Sequence, residues 1–348
     1  MPRFHPLEIT EIRQETEAAV VLSLTPKSGD FSFKAGQYLT FIKEFDGVEL
    51  RRCYSLCSPP NEGLQVGIKA VNGGAFSSFA NSELKVGDVL EAMQPMGNFG
   101  AKRAANNLGF AGGSGITPLL SIIIDTLQDD ENGMFTLVYA NRSVASTMFR
   151  DDLQDLKDRF VNRFHVINIL EDNAQDIDLF SGRLNAEKLN GLFKGWVNID
   201  AVEHAFICGP APMMDAVKTG LLKHLPAAQI SIEKFLSDQP GRAAQPPAPL
   251  ASAAPLGALQ ATVLLDGVSH EVPLDAETSV LQAALDAKLD VPYACRAGVC
   301  STCKAKLIEG EVEMRANQAL EDYEVEQGYI LTCQSHAKTA KIVVDYNG

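Results

Sequence analysis

Four cysteines near the end of this 348-residue sequence constrain its fold more than any other feature. They are Cys295, Cys300, Cys303 and Cys333, a C-x4-C-x2-C motif with a distant fourth member. Four thiolates at this spacing are typical ligands of a [2Fe–2S] cluster, which carries one electron at a time. A structural zinc site is the alternative, but zinc usually takes two short C-x2-C or Cys/His pairs. The motif therefore predicts a redox protein with these four metal ligands.

The residues around the ligands favour a cluster as well. Small residues lie between them: Ala294, Ala297, Gly298 and Ser301. Small side chains let the backbone curl around the iron and direct N–H groups at the sulfurs, which helps to set the potential. The apolar run 328–332 predicts a strand that returns Cys333 to the site.

Charge and composition exclude several classes of partner. The net charge of −14 makes nucleic acid an unexpected partner. Half of that charge lies in residues 259–348, where an acidic face could serve solubility or steer docking onto a basic partner. No apolar run approaches the ~20 residues of a membrane span, and the first twenty residues hold no apolar signal segment. Seven cysteines, four of them ligands, fit a reducing cytoplasm better than a disulfide framework.

The chain divides into three predicted domains and a linker. The bounds are 1–104, 105–236, a linker at 237–258 and 259–348. The linker has five prolines and seven alanines in 22 residues and almost no charge, so we expect a semi-extended tether. In the first domain apolar and polar residues alternate as they do in strands, which predicts an antiparallel barrel. The predicted strands are Ala19–Thr25, Gln37–Lys43, Arg51–Leu56, Leu64–Val71 and Val89–Gln94.

The second predicted domain alternates strands with amphipathic helices, which indicates a parallel doubly wound sheet. The predicted strands are Leu108–Ala111, Phe135–Ala140, Phe164–Leu170, Ala205–Cys208 and Gln229–Ile232. The predicted helices are Pro118–Gln128, Met148–Phe160, Asn185–Phe193 and Pro212–His224.

Two segments follow strands of that sheet and could bind a nucleotide. Gly112–Pro118 links the first strand to the first helix, and its glycines would let the backbone approach a pyrophosphate. Thr117 fits a helix N-cap and Pro118 the first helical position. The loop is not a G-x-G-x-x-G fingerprint. Cys208–Met214 ends a later strand, where open sheets bind ligands, although a buried strand end would show the same pattern.

Two segments of the barrel could bind phosphate or an aromatic ring. Arg52 and Tyr54 should share one face of a strand and Ser55 the other. Arg52 could clamp a phosphate and Tyr54 could stack on a ring, but an ordinary exposed strand stays open. Gly73–Ser77 precedes a short helix and is a second candidate anion site.

Together these segments resemble the ferredoxin–NADP reductase superfamily. Five motifs recur there in this order: Arg52–Ser55, Gly73–Ser77, Gly112–Pro118, Cys208–Met214 and Glu233–Phe235. With the cysteine motif, the whole chain is similar to reductase components of bacterial multicomponent oxygenases, and among them to those serving phenylacetyl-CoA epoxidation. The resemblance implies a multidomain fold: an antiparallel β-barrel flavin domain, an α/β parallel-sheet NAD(P) domain and an α+β ferredoxin domain of the β-grasp type.

The resemblance also implies roles around a flavin, FAD rather than FMN. The flavin-side residues would be Arg52, Tyr54, Ser55 and Ser77, and Lys69 and Gly74 are further expected cofactor-binding residues. Tyr54 would stack on the isoalloxazine and Ser55 would bond near its N5. Arg52 and Ser77 would hold the phosphates.

On the nicotinamide side the resemblance implies a second set of residues: Gly113, Gly115, Thr117, Arg142, Cys208, Gly209, Pro210, Met213, Glu233 and Phe235. The first three would cradle the dinucleotide. Cys208 and Gly209 would lie beside the nicotinamide, in a pocket shaped by Pro210 and Met213. Glu233 and Phe235 would close the nicotinamide face of the flavin. Ser55, Cys208 and Glu233 are the expected catalytic residues.

The expected coenzyme is NADPH. Many NADH users of this family carry an acid after the second strand, which binds ribose hydroxyls and repels a 2′-phosphate. The corresponding residues here are Asn141, Arg142, Ser143 and Ser146, without an acid. NADH stays open, because some relatives with an Asn-Arg pair use it and Arg142 could be a solvated loop cation.

These parts form an electron relay. NAD(P)H delivers two electrons as a hydride, a cluster accepts one, and a flavin between them can take the pair and release electrons singly. We expect an NAD(P)H-dependent oxidoreductase that feeds an oxygenase component, phenylacetyl-CoA 1,2-epoxidase in aerobic phenylacetate degradation. The alternatives are the reductase of a Rieske-type dioxygenase or steroid 9α-hydroxylase and, more remotely, a non-catalytic electron carrier or redox-sensing module.

Overall fold

The computed structural model describes residues 4–100, 102, 104–172, 177–235, 259–320 and 322–347. The chain forms two compact units that divide near residue 241. The linker predicted at 237–258 lies outside the described residues.

The first unit begins with an antiparallel barrel. Its strands are β1 (His5–Thr16), β2 (Ala19–Pro26), β3 (Tyr38–Phe45), β4 (Val48–Ser55), β5 (Leu64–Lys69) and β6 (Val89–Ala92). They pair in the order β4-β3-β6-β1-β2-β5, and a bridge between Leu56 and Val66 joins the two ends. Helix α1 (Ala75–Ser82) follows β5. The expected antiparallel barrel is confirmed.

Strand β1 is absent from the predicted strands, and its pairing shows why. Leu7 and Ile9 point into the core, but most of the strand's other residues are only partly buried or exposed. Irregularities between Ile9 and Glu11 and between Gln14 and Thr16 shift its register against β2. A bulge breaks the period of two on which strand recognition depends.

The first unit continues with a parallel α/β domain, as expected. Its strands are β7 (Asn106–Gly112), β8 (Met134–Asn141), β9 (Phe164–Leu170), β10 (His204–Cys208) and β11 (Ile230–Glu233). Its helices are α2 (Ile116–Asp129), α3 (Arg150–Arg159), α4 (Ala186–Gly195) and α5 (Ala211–Leu221). Helices α2 and α3 pack on one face of the sheet and α4 and α5 on the other. The core under α2 continues into the barrel through Val21 and Cys57.

The strand order β11-β10-β7-β8-β9 places a switch point between β7 and β10. The chain runs outward from β7 to β9 and then returns to β10 on the other side of β7. The carboxyl ends of the strands at such a point are the usual ligand site of open α/β sheets.

The start of α2 differs from the prediction. Its N-cap is Gly115, so Thr117 and Pro118 lie inside the first turn rather than at the cap and first position. The Thr117 hydroxyl donates to the Ser114 carbonyl at 3.0 Å. The assignment of Thr117 as the N-cap was therefore wrong, because a one-turn 3-10 helix at Gly113–Gly115 leads directly into α2.

The second unit is an α+β domain with a mixed sheet. Its strands are β12 (Leu259–Leu265), β13 (Val268–Leu274), β14 (Lys304–Glu309), β15 (Val312–Met314), β16 (Tyr329–Leu331), β17 (Ser335–Ala337) and β18 (Lys341–Asp345). Its helices are α6 (Val280–Asp286) and α7 (Asp322–Glu326). The main sheet has the order β13-β12-β18-β14-β16, with β12 parallel to β18. Strand β16 delivers Cys333 two residues after its end, as the sequence predicted.

Candidate functional site: the crevice between barrel and sheet, and the cysteine loop

Two glycine-containing loops meet at the switch point. A Cβ on Gly115 would collide with the carbonyl oxygen of Cys208, and one on Gly112 would lie 2.5 Å from Pro210 Cδ. A Cβ on Gly209 would lie 2.7 Å from Met213 Cε. Only glycine permits this approach, so the loops after β7 and β10 form one continuous backbone surface at the mouth of the crevice.

The three expected catalytic residues come together across this crevice. The Ser55 hydroxyl, at the end of β4, donates to Glu233 Oε1 at 2.8 Å. Cys208 and Glu233 are register partners on β10 and β11. Burial raises the pKa of Glu233 to about 7, although the Ser55 hydrogen bond lowers it. Burial also raises the pKa of the Cys208 thiol, and the nearby Glu233 raises it further. The Glu233 carboxyl, with its pKa near neutrality, therefore lies between the Ser55 hydroxyl that donates to it and the neutral Cys208 thiol on the neighbouring strand.

Two other expected flavin-side residues, Tyr54 and Ser77, lie near the end of β4 and at the start of α1. The Tyr54 ring packs against Phe76 of α1, with ring centroids 5.4 Å apart, while Ser55 faces the nucleotide domain. The buried Ser77 hydroxyl lies 3.4 Å from the Gly74 carbonyl, at the start of α1.

Three cations near the crevice have no carboxylate partner among the described residues. Arg52 donates to the Arg51 carbonyl at 2.9 Å, and burial lowers its pKa. Burial and then Arg142 lower the pKa of Lys69. A Cβ on Gly113 would lie 3.9 Å from Lys69 Nζ. Arg52 and Lys69 are partly buried and Arg142 is exposed, and cations without a described counter-charge fit a site that receives anionic phosphates, as FAD and a nicotinamide dinucleotide would supply.

Met213 and Phe235 are two further residues that we expect beside the nicotinamide. The Met213 sulfur would lie 3.0 Å from a Cβ on Gly112, so it covers the glycine loop from α5. Phe235 packs against the core that contains Cys208 and Phe206. Both side chains thus border the crevice.

In the second unit the four cysteines converge on one loop. The sulfur of Cys295 lies in hydrogen-bonding contact with Cys300 and Cys333, and the sulfur of Cys333 also contacts Cys303. Cys295 Sγ accepts the Ala297 N–H at 3.4 Å. Within the described residues no three His, Cys, Asp or Glu side chains are arranged to hold a single ion. Four thiols in one connected group suit a binuclear cluster, which is held by four protein sulfurs.

Two buried residues of β8, Tyr139 and Asn141, lie at the carboxyl end of the sheet without a role predicted for their side chains. The Tyr139 hydroxyl lies 3.1 Å from the Gly113 carbonyl and 3.2 Å from the Met148 carbonyl. The Asn141 side chain is buried on the same face of the strand, and although burial raises the pKa of the Tyr139 hydroxyl, the contact of that hydroxyl with Asn141 lowers it. No signal distinguished Tyr139, since a tyrosine in an apolar strand is usually a core residue.

Comparison with known proteins assigns each part of this architecture. Three family models match: an oxidoreductase FAD-binding domain over residues 7–100, an oxidoreductase NAD-binding domain over 110–219 and a 2Fe-2S iron-sulfur cluster binding domain over 263–338. The chain is therefore an oxidoreductase. None of the helices in the described part of the chain has the length and apolarity needed to cross a bilayer.

Relatives match over nearly the whole chain. A component of 1,2-phenylacetyl-CoA epoxidase from Escherichia coli is 40% identical, covering 100% of this chain and 99% of its own. The ferredoxin reductase component of 3-ketosteroid-9-alpha-monooxygenase from Mycobacterium tuberculosis is 33% identical, covering 98% and 95%. The solved structure of phthalate dioxygenase reductase, at 27% identity and a TM-score of 0.58, covers 98% of both chains. This chain belongs to the ferredoxin–NADP reductase superfamily, in the group of oxygenase reductase components that carry a C-terminal [2Fe–2S] ferredoxin domain.

Proposed function

We propose that this protein passes electrons from NAD(P)H through FAD and a [2Fe–2S] cluster to the oxygenase of a phenylacetyl-CoA 1,2-epoxidase system, in aerobic phenylacetate degradation. The observation that carries the proposal is the Ser55–Glu233 hydrogen bond, which joins the flavin barrel to the end of the nucleotide sheet beside Cys208. Full-length similarity to a component of such an epoxidase supports the choice of oxygenase.

The residues of the crevice would have separate roles. Arg52, Ser77 and Lys69 would bind phosphate oxygens, and Tyr54 would pack against the flavin ring. Bound flavin supplies the conversion between a hydride pair and single electrons. Ser55 and Glu233 would hold a proton at the hydroxyl and carboxyl oxygens they share, next to the flavin.

The coenzyme loops and the second unit complete the assignment. Gly113, Gly115 and Thr117 would face the dinucleotide, and Cys208, Gly209, Pro210, Met213 and Phe235 would enclose the nicotinamide. Cys295, Cys300, Cys303 and Cys333 would ligate the cluster. The domain bounds 1–104, 105–236 and 259–348, with a tether at 237–258, belong to the same proposal, as does a cytoplasmic location.

Reconstitution with separate oxygenases tests the function. With NAD(P)H and a phenylacetyl-CoA epoxidase oxygenase component, the purified protein should support epoxide formation. With a Rieske-type dioxygenase or a steroid 9α-hydroxylase, turnover should be much lower. Relatives of this chain include reductase components of 3-ketosteroid-9-alpha-monooxygenase and of glycine betaine monooxygenase. Faster turnover with the Rieske-type dioxygenase or the steroid 9α-hydroxylase would therefore replace the epoxidase assignment and keep the reductase activity.

The proposed preference for NADPH can be tested at Arg142. This exposed side chain has no carboxylate partner among the described residues, while Glu171 on the next strand end is paired with Arg183 at 3.1 Å. Loss of a charged hydrogen bond to phosphate costs about 1.5–3 kcal/mol. Arg142→Ala should therefore raise KM for NADPH roughly 10- to 100-fold and leave KM for NADH within about twofold. Arg159→Ala, at the C-terminal end of α3, is the control, and equal effects on both coenzymes would contradict the preference.

A further inference from the structure

The Tyr139 hydroxyl links two loops at the carboxyl edge of the nucleotide sheet. The tyrosine is fully buried in β8. Its oxygen lies 3.1 Å from the carbonyl of Gly113 and 3.2 Å from that of Met148. A hydroxyl has one hydrogen, so the two carbonyls share one donor. One carbonyl belongs to the glycine loop and the other to the loop that enters α3.

The hydrogen bond acts on a residue with an unusual backbone. Gly113 has a φ of +53°, in the left-handed region. Its carbonyl points inward to Tyr139, while the side of the residue where a Cβ would stand faces Lys69 Nζ. A carbonyl held inward leaves the outer side of the loop to N–H groups, which is the arrangement that a pyrophosphate requires.

The other loop is fixed to the barrel. Glu15, at the end of β1, accepts the Phe149 N–H at Oε1, at 2.6 Å. Its Oε2 lies 3.1 Å from Arg13 Nη1, which lies 3.1 Å from Asp152 Oδ2 of α3. Phe149 itself is left-handed, with a φ of +55°, so its peptide needs this anchor to hold its direction.

A close contact on the barrel side keeps the same loop in place. Gly67 of β5 faces Thr117, Met148 and Phe149, and a Cβ there would lie 2.9–3.2 Å from their side chains. A continuous chain of contacts therefore runs from Glu15 through the Met148–Phe149 peptide and Tyr139 to Gly113.

We propose that Tyr139 is a positioning residue for the nicotinamide dinucleotide. Its hydroxyl holds the glycine loop in the binding conformation, and Glu15 fixes the far end of this network to the flavin barrel. The inference rests on the proposed role of Gly113 in nucleotide binding. It assigns to nucleotide binding two positioning residues, Tyr139 and Glu15, which would contact neither the coenzyme nor the flavin.

Tyr139→Phe is the first test, with Tyr346→Phe as the matched control. The Tyr346 hydroxyl donates to Thr332 Oγ1 at 2.8 Å in the second unit. Tyr346→Phe therefore also removes one hydrogen-bonded tyrosine hydroxyl, but outside the nucleotide domain. Calorimetric titration with NADP+ and NAD+ gives Kd without turnover, and ferricyanide reduction gives KM and kcat. We expect Tyr139→Phe to raise Kd and KM about tenfold with kcat within about twofold, as loss of one hydrogen bond would. The control should match the wild type.

The second test uses Glu15. Glu15→Gln keeps an oxygen that can accept the Phe149 N–H, whereas Glu15→Ala removes it. We expect Glu15→Ala to raise Kd and Glu15→Gln to stay near the wild type. The double variant Tyr139→Phe/Glu15→Ala should show less than the product of the two single effects, because both changes break one network.

The outcomes separate this inference from the function it builds on. Wild-type Kd and KM in folded Tyr139→Phe, or a fall in kcat at unchanged KM, would overturn the positioning role. If Tyr139→Phe fails to fold, equal Kd values for Glu15→Ala and Glu15→Gln would overturn it instead. A wild-type protein that binds neither NADP+ nor NAD+ would refute the proposed function itself.

Discussion

Replacing Cys300 with serine is expected to lower NAD(P)H-driven cytochrome c reduction at least about a hundredfold, since even outer-shell changes at metal sites cost 10- to 100-fold. Cys300 is buried, and its sulfur contacts that of Cys295. A serine hydroxyl at this position is a far weaker ligand for iron than a thiolate. Cluster assembly should therefore fail or yield a labile centre, and single electrons should no longer leave the chain.

The same variant should keep the first half of the reaction. NAD(P)H-driven reduction of ferricyanide depends on the barrel and the nucleotide sheet and should stay within about twofold, since distant sites act independently. Iron content and the EPR signal of the dithionite-reduced protein report the cluster directly. Cys57→Ser is the control, because Cys57 lies in the barrel with its thiol directed at the Gln65 carbonyl. A full EPR signal in Cys300→Ser would remove this cysteine from the ligand set.

Gly115→Ala is expected to abolish most nicotinamide nucleotide binding, raising KM for NAD(P)H by roughly 50-fold or more. The added methyl would meet the Cys208 carbonyl and the Gly209 nitrogen, which are backbone atoms that cannot rotate away. The φ of Gly115 is −62°, so the penalty comes from contact rather than from backbone conformation. The loops after β7 and β10 would have to separate, and overpacking of this kind costs about 1–3 kcal/mol or more.

Gly195→Ala provides the matched control for that substitution. Gly195 ends α4, and a Cβ there would meet nothing within 4 Å. This variant should bind NAD(P)H as the wild type does. Flavin content should stay normal in both proteins, because the barrel is untouched. Wild-type KM in Gly115→Ala would show that the close approach of the two loops is not needed for binding.

The sequence predicted features that depend on local chemistry. Ligand spacing predicted the cysteine loop because four residues must reach one small cofactor. Periodicity predicted the five strands of the nucleotide sheet because they are short, apolar and regular. Strand β1 was missed for the opposite reason, since its bulges and charges hide the two fully buried residues, Leu7 and Ile9.

Features that depend on tertiary contacts could not be predicted in the same way. Thr117 was placed at a helix cap because its type suits that position, but the backbone starts the helix earlier. The hydrogen bond from Phe149 to Glu15 joins residues 134 positions apart. Tyr139 became visible as a functional candidate only when both of its carbonyl partners were located.

The switch point between β7 and β10 has a consequence for stability. The two halves of the nucleotide cradle lie almost one hundred positions apart in the chain and become neighbours only when β10 has paired with β7. A coenzyme bound across that junction binds the folded domain and not its unfolded chain. Its binding therefore increases the free energy of unfolding of the entire sheet. Occupancy by the electron donor thus also protects the domain from thermal loss and proteolysis.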